Sequence, residues 1–146
     1  MNLGGTQEAL GCAITQVRAD HTSGFDDEEG RPVYGGVASG FVVRMPGDFT
    51  LYHSGDTALF TDMAMIGDLW RPDLACLPIG GHFTMDPDQA ARACRLLGVR
   101  RVIPIHWGTF PILAGTPDAL EVALRAHGAP TEVVTLSPGE SWVTVS

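Results

Sequence analysis

His21, Asp56 and His106 each place a metal-ligating side chain just after a strand-like run. The runs are Val17-Arg18-Ala19-Asp20-His21, Phe49 to Tyr52 ahead of His53-Ser54-Gly55-Asp56, and Val102-Ile103-Pro104-Ile105-His106. In α/β folds, a strand that empties into a loop with a charged or imidazole side chain presents that group to a ligand at the sheet edge. Neutral imidazole and carboxylate suit Zn²⁺, Mn²⁺ or Fe²⁺. A divalent ion held by them would lower the pKa of a bound water and supply a hydroxide nucleophile at neutral pH. Ligands so far apart in sequence have no local geometry of their own, so the fold must bring them together.

The elements that would do so can be read from pattern. Cys12 to Val17 has strand character, and Met1 to Gly11 reads as a connection. Phe25 to Tyr34 reads as an acidic, solvated loop around Asp26, Asp27, Glu28 and Glu29. Ser39 to Met45 and Phe49 to His53 flank Pro46-Gly47-Asp48, which predicts an antiparallel hairpin. Leu59, Met63, Ile66, Leu69 and Trp70 recur at helical spacing until Arg71-Pro72. Leu74 to Ile79 is a short apolar run that suits a buried strand. Asp86, Pro87 and Gln89 form a helix start with a capping box, and Gly98 is its stop. Arg101 to Ile105 predicts a strand, and Thr116-Pro117 to Gly128 a helix. Thr131 to Leu136 and Ser141 to Val145, around Ser137-Pro138-Gly139, predict a closing hairpin. The alternation of strand and helix between hairpins indicates a layered α/β domain with a mixed sheet.

Composition narrows the classes. The chain is long enough for one domain with a sizeable core, at 45% hydrophobic and 18% charged residues. Net charge is −8, which disfavours phosphate backbones, so no nucleic-acid partner is expected. No run approaches the ~18 apolar residues of a membrane span, and no signal peptide is visible, so the expectation is a cytoplasmic protein. Cys12, Cys76 and Cys94 are widely spaced and read as free thiols.

Other titratable groups have simpler readings. His53 should point away from Asp56's neighbours by strand alternation, and His127 sits at a helix C-terminus that favours a cation. Asp86 and Asp88 are explained by helix capping, and Asp62, Asp68 and Asp73 by solvent. Asp20 reads as either an orienting partner for His21 or an exposed carboxylate. Ser54 lacks a GxSxG setting, which argues against a serine hydrolase.

Three ordered stretches carry a resemblance. They are Tyr52-His53-Ser54-Gly55-Asp56-Thr57-Ala58-Leu59-Phe60, Leu77-Pro78-Ile79-Gly80-Gly81-His82-Phe83-Thr84-Met85, and Val102 through His106-Trp107-Gly108-Thr109-Phe110-Pro111. Together with Gly4-Gly5 and His21-Thr22-Ser23-Gly24, they resemble the C-terminal half of a metallo-β-lactamase-fold hydrolase. The subgroup is that of small bacterial metal-dependent hydrolases related to the L-ascorbate-6-phosphate lactonase. The resemblance implies half of an αββα sandwich, with a mixed sheet and helices on one face. It implies a two-metal site, zinc ahead of manganese, and a small-molecule substrate with an ester, lactone, amide or phosphoester bond. It puts His21 on the first metal, Asp56 as the bridging carboxylate and His106 on the second metal. His82 falls near the cleft, where it would orient substrate or donate a proton.

The family's H-x-H-x-D-H motif is absent from residues 1–146. The expectation is therefore a single partial domain over 1–146, without the N-terminal half that carries the motif. Such a domain would bind metal weakly alone and expose apolar sheet surface. It would associate with itself as a homo-oligomer or with a complementary N-terminal half. The alternative expectation is a catalytically silent, truncated remnant that serves as an oligomerising or binding module.

Overall fold

The computed structural model of the chain describes residues 1–144. A seven-stranded sheet forms its centre, and the strand names follow chain order: β1 (Thr6–Ala9), β2 (Cys12–Arg18), β5 (Ser39–Arg44), β6 (Thr50–His53), β7 (Leu74–Pro78), β8 (Arg101–Ile105) and β9 (Glu132–Val133). β3 (Gly24–Asp26) and β4 (Pro32–Tyr34) form a separate two-stranded ribbon. The first four strands of the sheet pair antiparallel, and β6 through β9 pair parallel. The sheet is mixed, as expected.

Strand alternation sorts the side chains into two faces. Thr15, Val42, Tyr52, Ala75, Val102 and Val133 stand in one row across six strands. Helices α1 (Met63–Trp70), α2 (Pro87–Leu97) and α3 (Pro117–Ala126) complete the core with that row, through Met63, Ile66, Ala90, Cys94, Leu97 and Leu120. The next row, Gln16, Phe41, His53, Cys76 and Ile103, belongs to the other face and stays half-buried or exposed. Among the described residues, no helix is long and apolar enough to cross a membrane.

Helix α2 starts where the sequence places it. The Asp86 side chain accepts from Gln89 N at 2.8 Å, and the Gln89 side chain accepts from Asp86 N at 3.2 Å. Asp86→Ala is expected to lower stability by about 1 kcal/mol, read from the urea midpoint, because the helix-start donor Gln89 N loses its acceptor. Helix α3 is tied to α2 by His127, whose Nε2 lies 2.6 Å from Asp88 Oδ1. That hydrogen bond, and then Arg92, hold the Asp88 carboxyl below its ordinary 3.8. A depressed carboxyl adds stability above its unfolded value and loses it as pH falls through the folded one. Urea midpoints compared at pH 6 and pH 3 should thus drop further for the native chain than for His127→Ala.

Three expectations need correction. Met1 to Gly11 is not only a connection, since β1 pairs with β2 through a tight turn in which Leu10 and Gly11 both have positive φ. Thr6–Ala9 is exposed throughout and has no apolar alternation, so its sequence gives no strand signal. The acidic loop folds back on itself as β3–β4, with Arg31 bound to Asp27 and Glu29. The closing hairpin does not form within the described residues; Val145 lies outside them. Glu132–Val133 pairs parallel with β8 instead. After the turn at residues 137–140, Trp142 packs against Phe49 at 6.1 Å and under the Arg101 guanidinium at 5.7 Å. These aromatic and cation contacts hold the segment where a return strand was expected.

Candidate metal and catalytic site

β2 and β6 are both antiparallel to β5, so they run the same way, and β7 and β8 run parallel to β6. The loops that carry His21, Asp56, His82 and His106 therefore leave one edge of the sheet. This is the edge at which open α/β sheets bind ligands.

Asp56 is held by its neighbours. Ser54 continues the sheet, with its N–H donating to Cys76 O at 3.1 Å. Gly55 then turns the chain at φ +64°, with Ser39 O only 2.6 Å from where a Cβ would stand. Thr57 is fully buried and joins two loops: its hydroxyl accepts from Asp20 N at 2.9 Å and donates to Ala58 O at 2.8 Å. Ala58 N donates back to Asp20 O at 2.9 Å. The loop after β2 is thereby stitched to the loop after β6. Sequence reading missed this role of Thr57, because a threonine beside a candidate ligand has no distinguishing pattern.

His106 follows β8 directly and lies at φ +55°, a left-handed conformation that costs a non-glycine residue about 1–3 kcal/mol. His82 is at φ +58°. Two of the five non-glycine residues with positive φ among the described residues are thus candidate site histidines, and such strain concentrates at functional sites. Gly80 holds the His106 backbone, since a Cβ there would stand 2.2 Å from His106 O. The loop from Gly80 to Met85 is pinned on its other side by Met85 N donating to Thr57 O at 3.1 Å. It therefore bridges the His106 and Asp56 loops.

The structure brings Asp56 and His106 together, with His106 Nε2 3.4 Å from Asp56 Oδ2. His106 Nδ1 is buried without a hydrogen-bond partner. His21 does not join them: among the described residues, no three His, Cys, Asp or Glu side chains form a group able to hold a metal. Its exposed ring has Nδ1 2.8 Å from Thr22 O. A carbonyl can only accept, so Nδ1 is the donor here, and Nε2 is the nitrogen left open to a ligand. His82 is exposed and packs edge-on to Phe83, with centroids 4.4 Å apart. Asp20 Oδ1 is paired with Arg18 at 2.8 Å, and the His21 ring meets Thr22 O rather than Asp20.

The donor set fits a divalent cation in part. A carboxylate oxygen and an imidazole nitrogen converge at a distance longer than a good charge-assisted hydrogen bond, and the ring's second nitrogen is orphaned. Catalytic zinc sites use three protein ligands, and the Asp56–His106 pair supplies two. The thiols do not help. Burial pushes Cys76 up to about 11 and Cys94 up to about 12, so neither is a thiolate near neutral pH. His53 has Nδ1 accepting from Gly55 N at 3.1 Å, which occupies that nitrogen locally.

Comparison with known proteins shows what the chain as a whole resembles. Residues 1–107 match the family model described as the beta-lactamase superfamily domain. A UPF0173 metal-dependent hydrolase of Rubrobacter xylanophilus is 49% identical over 140 residues, covering 96% of this chain and 58% of that protein. One from Chloroflexus aurantiacus is 51% identical over 140 residues, with 96% and 57% covered. Among solved structures, the metallo hydrolase Igni18 of Ignicoccus hospitalis superposes with a TM-score of 0.80 at 36% identity, over 96% of this chain and 57% of that one. The chain thus spans a little over half the length of these relatives. On its sequence match, and with the fold its structural neighbour shares, the chain belongs to the beta-lactamase superfamily domain family.

Proposed function

We propose that the chain carries part of the active site of a metal-dependent hydrolase that acts on a small-molecule ester, lactone, amide or phosphoester. The convergence of Asp56 Oδ2 and His106 Nε2 at 3.4 Å carries this reading. Asp56 and His106 would hold a divalent ion, zinc ahead of manganese on donor type, and His21 would ligate through its free Nε2. The ion would supply Lewis acidity and activate water for attack, and the family relation implies a second ion beside it. His82, exposed at the same edge, would orient substrate or pass a proton to the leaving group. Polypeptide outside residues 1–146 would supply the remaining ligands, either as a complementary half or as a second chain.

A second reading is a catalytically silent module that associates through the sheet face opposite the helices. The observation in its favour is that Phe41 is 38% exposed on that face. Metal content after purification with zinc, hydrolysis of 4-nitrophenyl hexanoate, and sedimentation distinguish the two. Zinc retained by the chain, with zinc-dependent hydrolysis, supports the first reading. Hydrolysis that falls in His82→Ala while zinc stays bound supports the role of that imidazole. Metal-free, inactive dimers support the second reading.

A further inference from the structure

His21 lines a cleft of about 770 Å³ between the end of β2 and the β3–β4 ribbon. That volume suits a small molecule. Leu3, Ala19, Tyr34, Val37 and Ala38 supply apolar wall. Tyr34 is 75% exposed and Val37 56%. Further along the same sheet edge, Phe83, Phe110 and Ile112 are more than half exposed on the loops after β7 and β8. Large apolar side chains gathered around candidate polar groups mark a binding surface.

The charges point the same way. All nine basic residues are arginines. Arg18 is the one cation that lines the cleft among the described residues, and it is engaged. Its guanidinium meets Asp20 at 2.8 Å and Asp62 at 3.7 Å, and lies 5.7 Å from the Phe60 ring centre. Arg31, on the ribbon, is held by Asp27 and Glu29. Arg44 ends β5, Arg71 caps α1, and Arg100 and Arg101 lead into β8, all at the opposite sheet edge. Arg92, Arg95 and Arg125 lie on helices. Among the described residues, a phosphate or carboxylate seated in this cleft would find no arginine free of a carboxylate partner, and recognition of such groups ordinarily relies on one.

We infer that this cleft takes an uncharged, apolar group, so that the substrate is a neutral ester, lactone or amide with a hydrophobic acyl or leaving portion. The inference rests on the hydrolase reading of the same site and narrows it. For an ester, water's oxygen bonds to the acyl carbon, the acyl–oxygen bond breaks, and the proton ends on the leaving alcohol. A phosphorylated sugar lactone does not match the walls.

Isothermal titration of the full chain with two amides tests the inference. N-Phenylhexanamide is uncharged, and adipic acid monoanilide has the same length with a terminal carboxylate. The neutral amide is expected to bind at least about 10-fold tighter, because a carboxylate in the cleft loses water without gaining a cation. Tyr34→Ala is expected to weaken the neutral amide about 5-fold, and Tyr34→Phe to restore it, as the contact is with the ring face. Binding of neither amide, an equal or tighter anionic amide, or a Tyr34→Ala variant that binds as the native chain does would each overturn the inference. Hydrolysis of 4-nitrophenyl hexanoate with added zinc reports separately on the hydrolase reading. Its absence beside retained neutral selectivity sinks that reading and leaves the cleft's preference standing.

Discussion

Asp56→Ala weakens zinc binding by the chain more than about 100-fold, since loss of even an indirect partner of a metal ligand costs about 10–100-fold. The expectation follows from geometry. Asp56 Oδ2 is the oxygen 3.4 Å from His106 Nε2, and removing it leaves imidazoles as the candidate ligands with no carboxylate between them. Asp56→Asn should lose nearly as much, because an amide oxygen lacks the charge. The side chain is 46% exposed, so the urea midpoint should move little, by about 0.5 kcal/mol or less. His53→Ala is the control: its Nδ1 is taken by Gly55 N, and zinc binding should persist. Competition titration against a chelating dye reads all three variants. Equal zinc affinity in the native chain and Asp56→Ala would exclude Asp56 as a ligand.

Gly80→Ala should cost about 3 kcal/mol, the upper part of the usual overpacking range. A Cβ at this position stands 2.2 Å from His106 O and 3.2 Å from Leu113 Cβ. The nearer obstacle is backbone, so no rotamer change relieves it. The loop after β7 and the turn at His106 must separate instead. The urea midpoint measures the loss, and zinc affinity should fall with it, because His106 moves away from Asp56. A variant with native stability and native zinc binding would show that the two loops are not in contact as described.

Much of the fold was legible because local rules and burial agree along this chain. The β5–β6 hairpin follows from Pro46-Gly47-Asp48 between apolar runs. The α2 start follows from Asp86, Pro87 and Gln89, where the cap, the ring and the reciprocal hydrogen bonds all point to one helix. β1 was not legible, because Thr6–Ala9 buries nothing and Leu10 stands at a positive-φ turn position that usually takes Asn, Asp or Gly. The end of the chain misled for the opposite reason. Its alternation fits a hairpin, but parallel pairing with β8 and the Trp142 contacts take hold instead.

The candidate site divides along the same line. Residue type and position at strand ends single out His21, Asp56 and His106, because the chemistry of a ligand is a property of its side chain. The order of the strands then determines that their loops leave one sheet edge. Which of them meet is a property of space alone. Asp56 and His106 converge because β6 and β8 flank β7 and because Gly80 lets the backbone behind His106 close in. His21 is carried to the neighbouring cleft, where Thr57 ties its loop to that of Asp56. By itself, the sequence determined the family, most of the elements and the candidate ligands, since these depend on local pattern and side-chain chemistry. Only the tertiary structure decided the Asp56–His106 pair and the apolar cleft beside His21, since both arise from contacts between residues far apart in the chain.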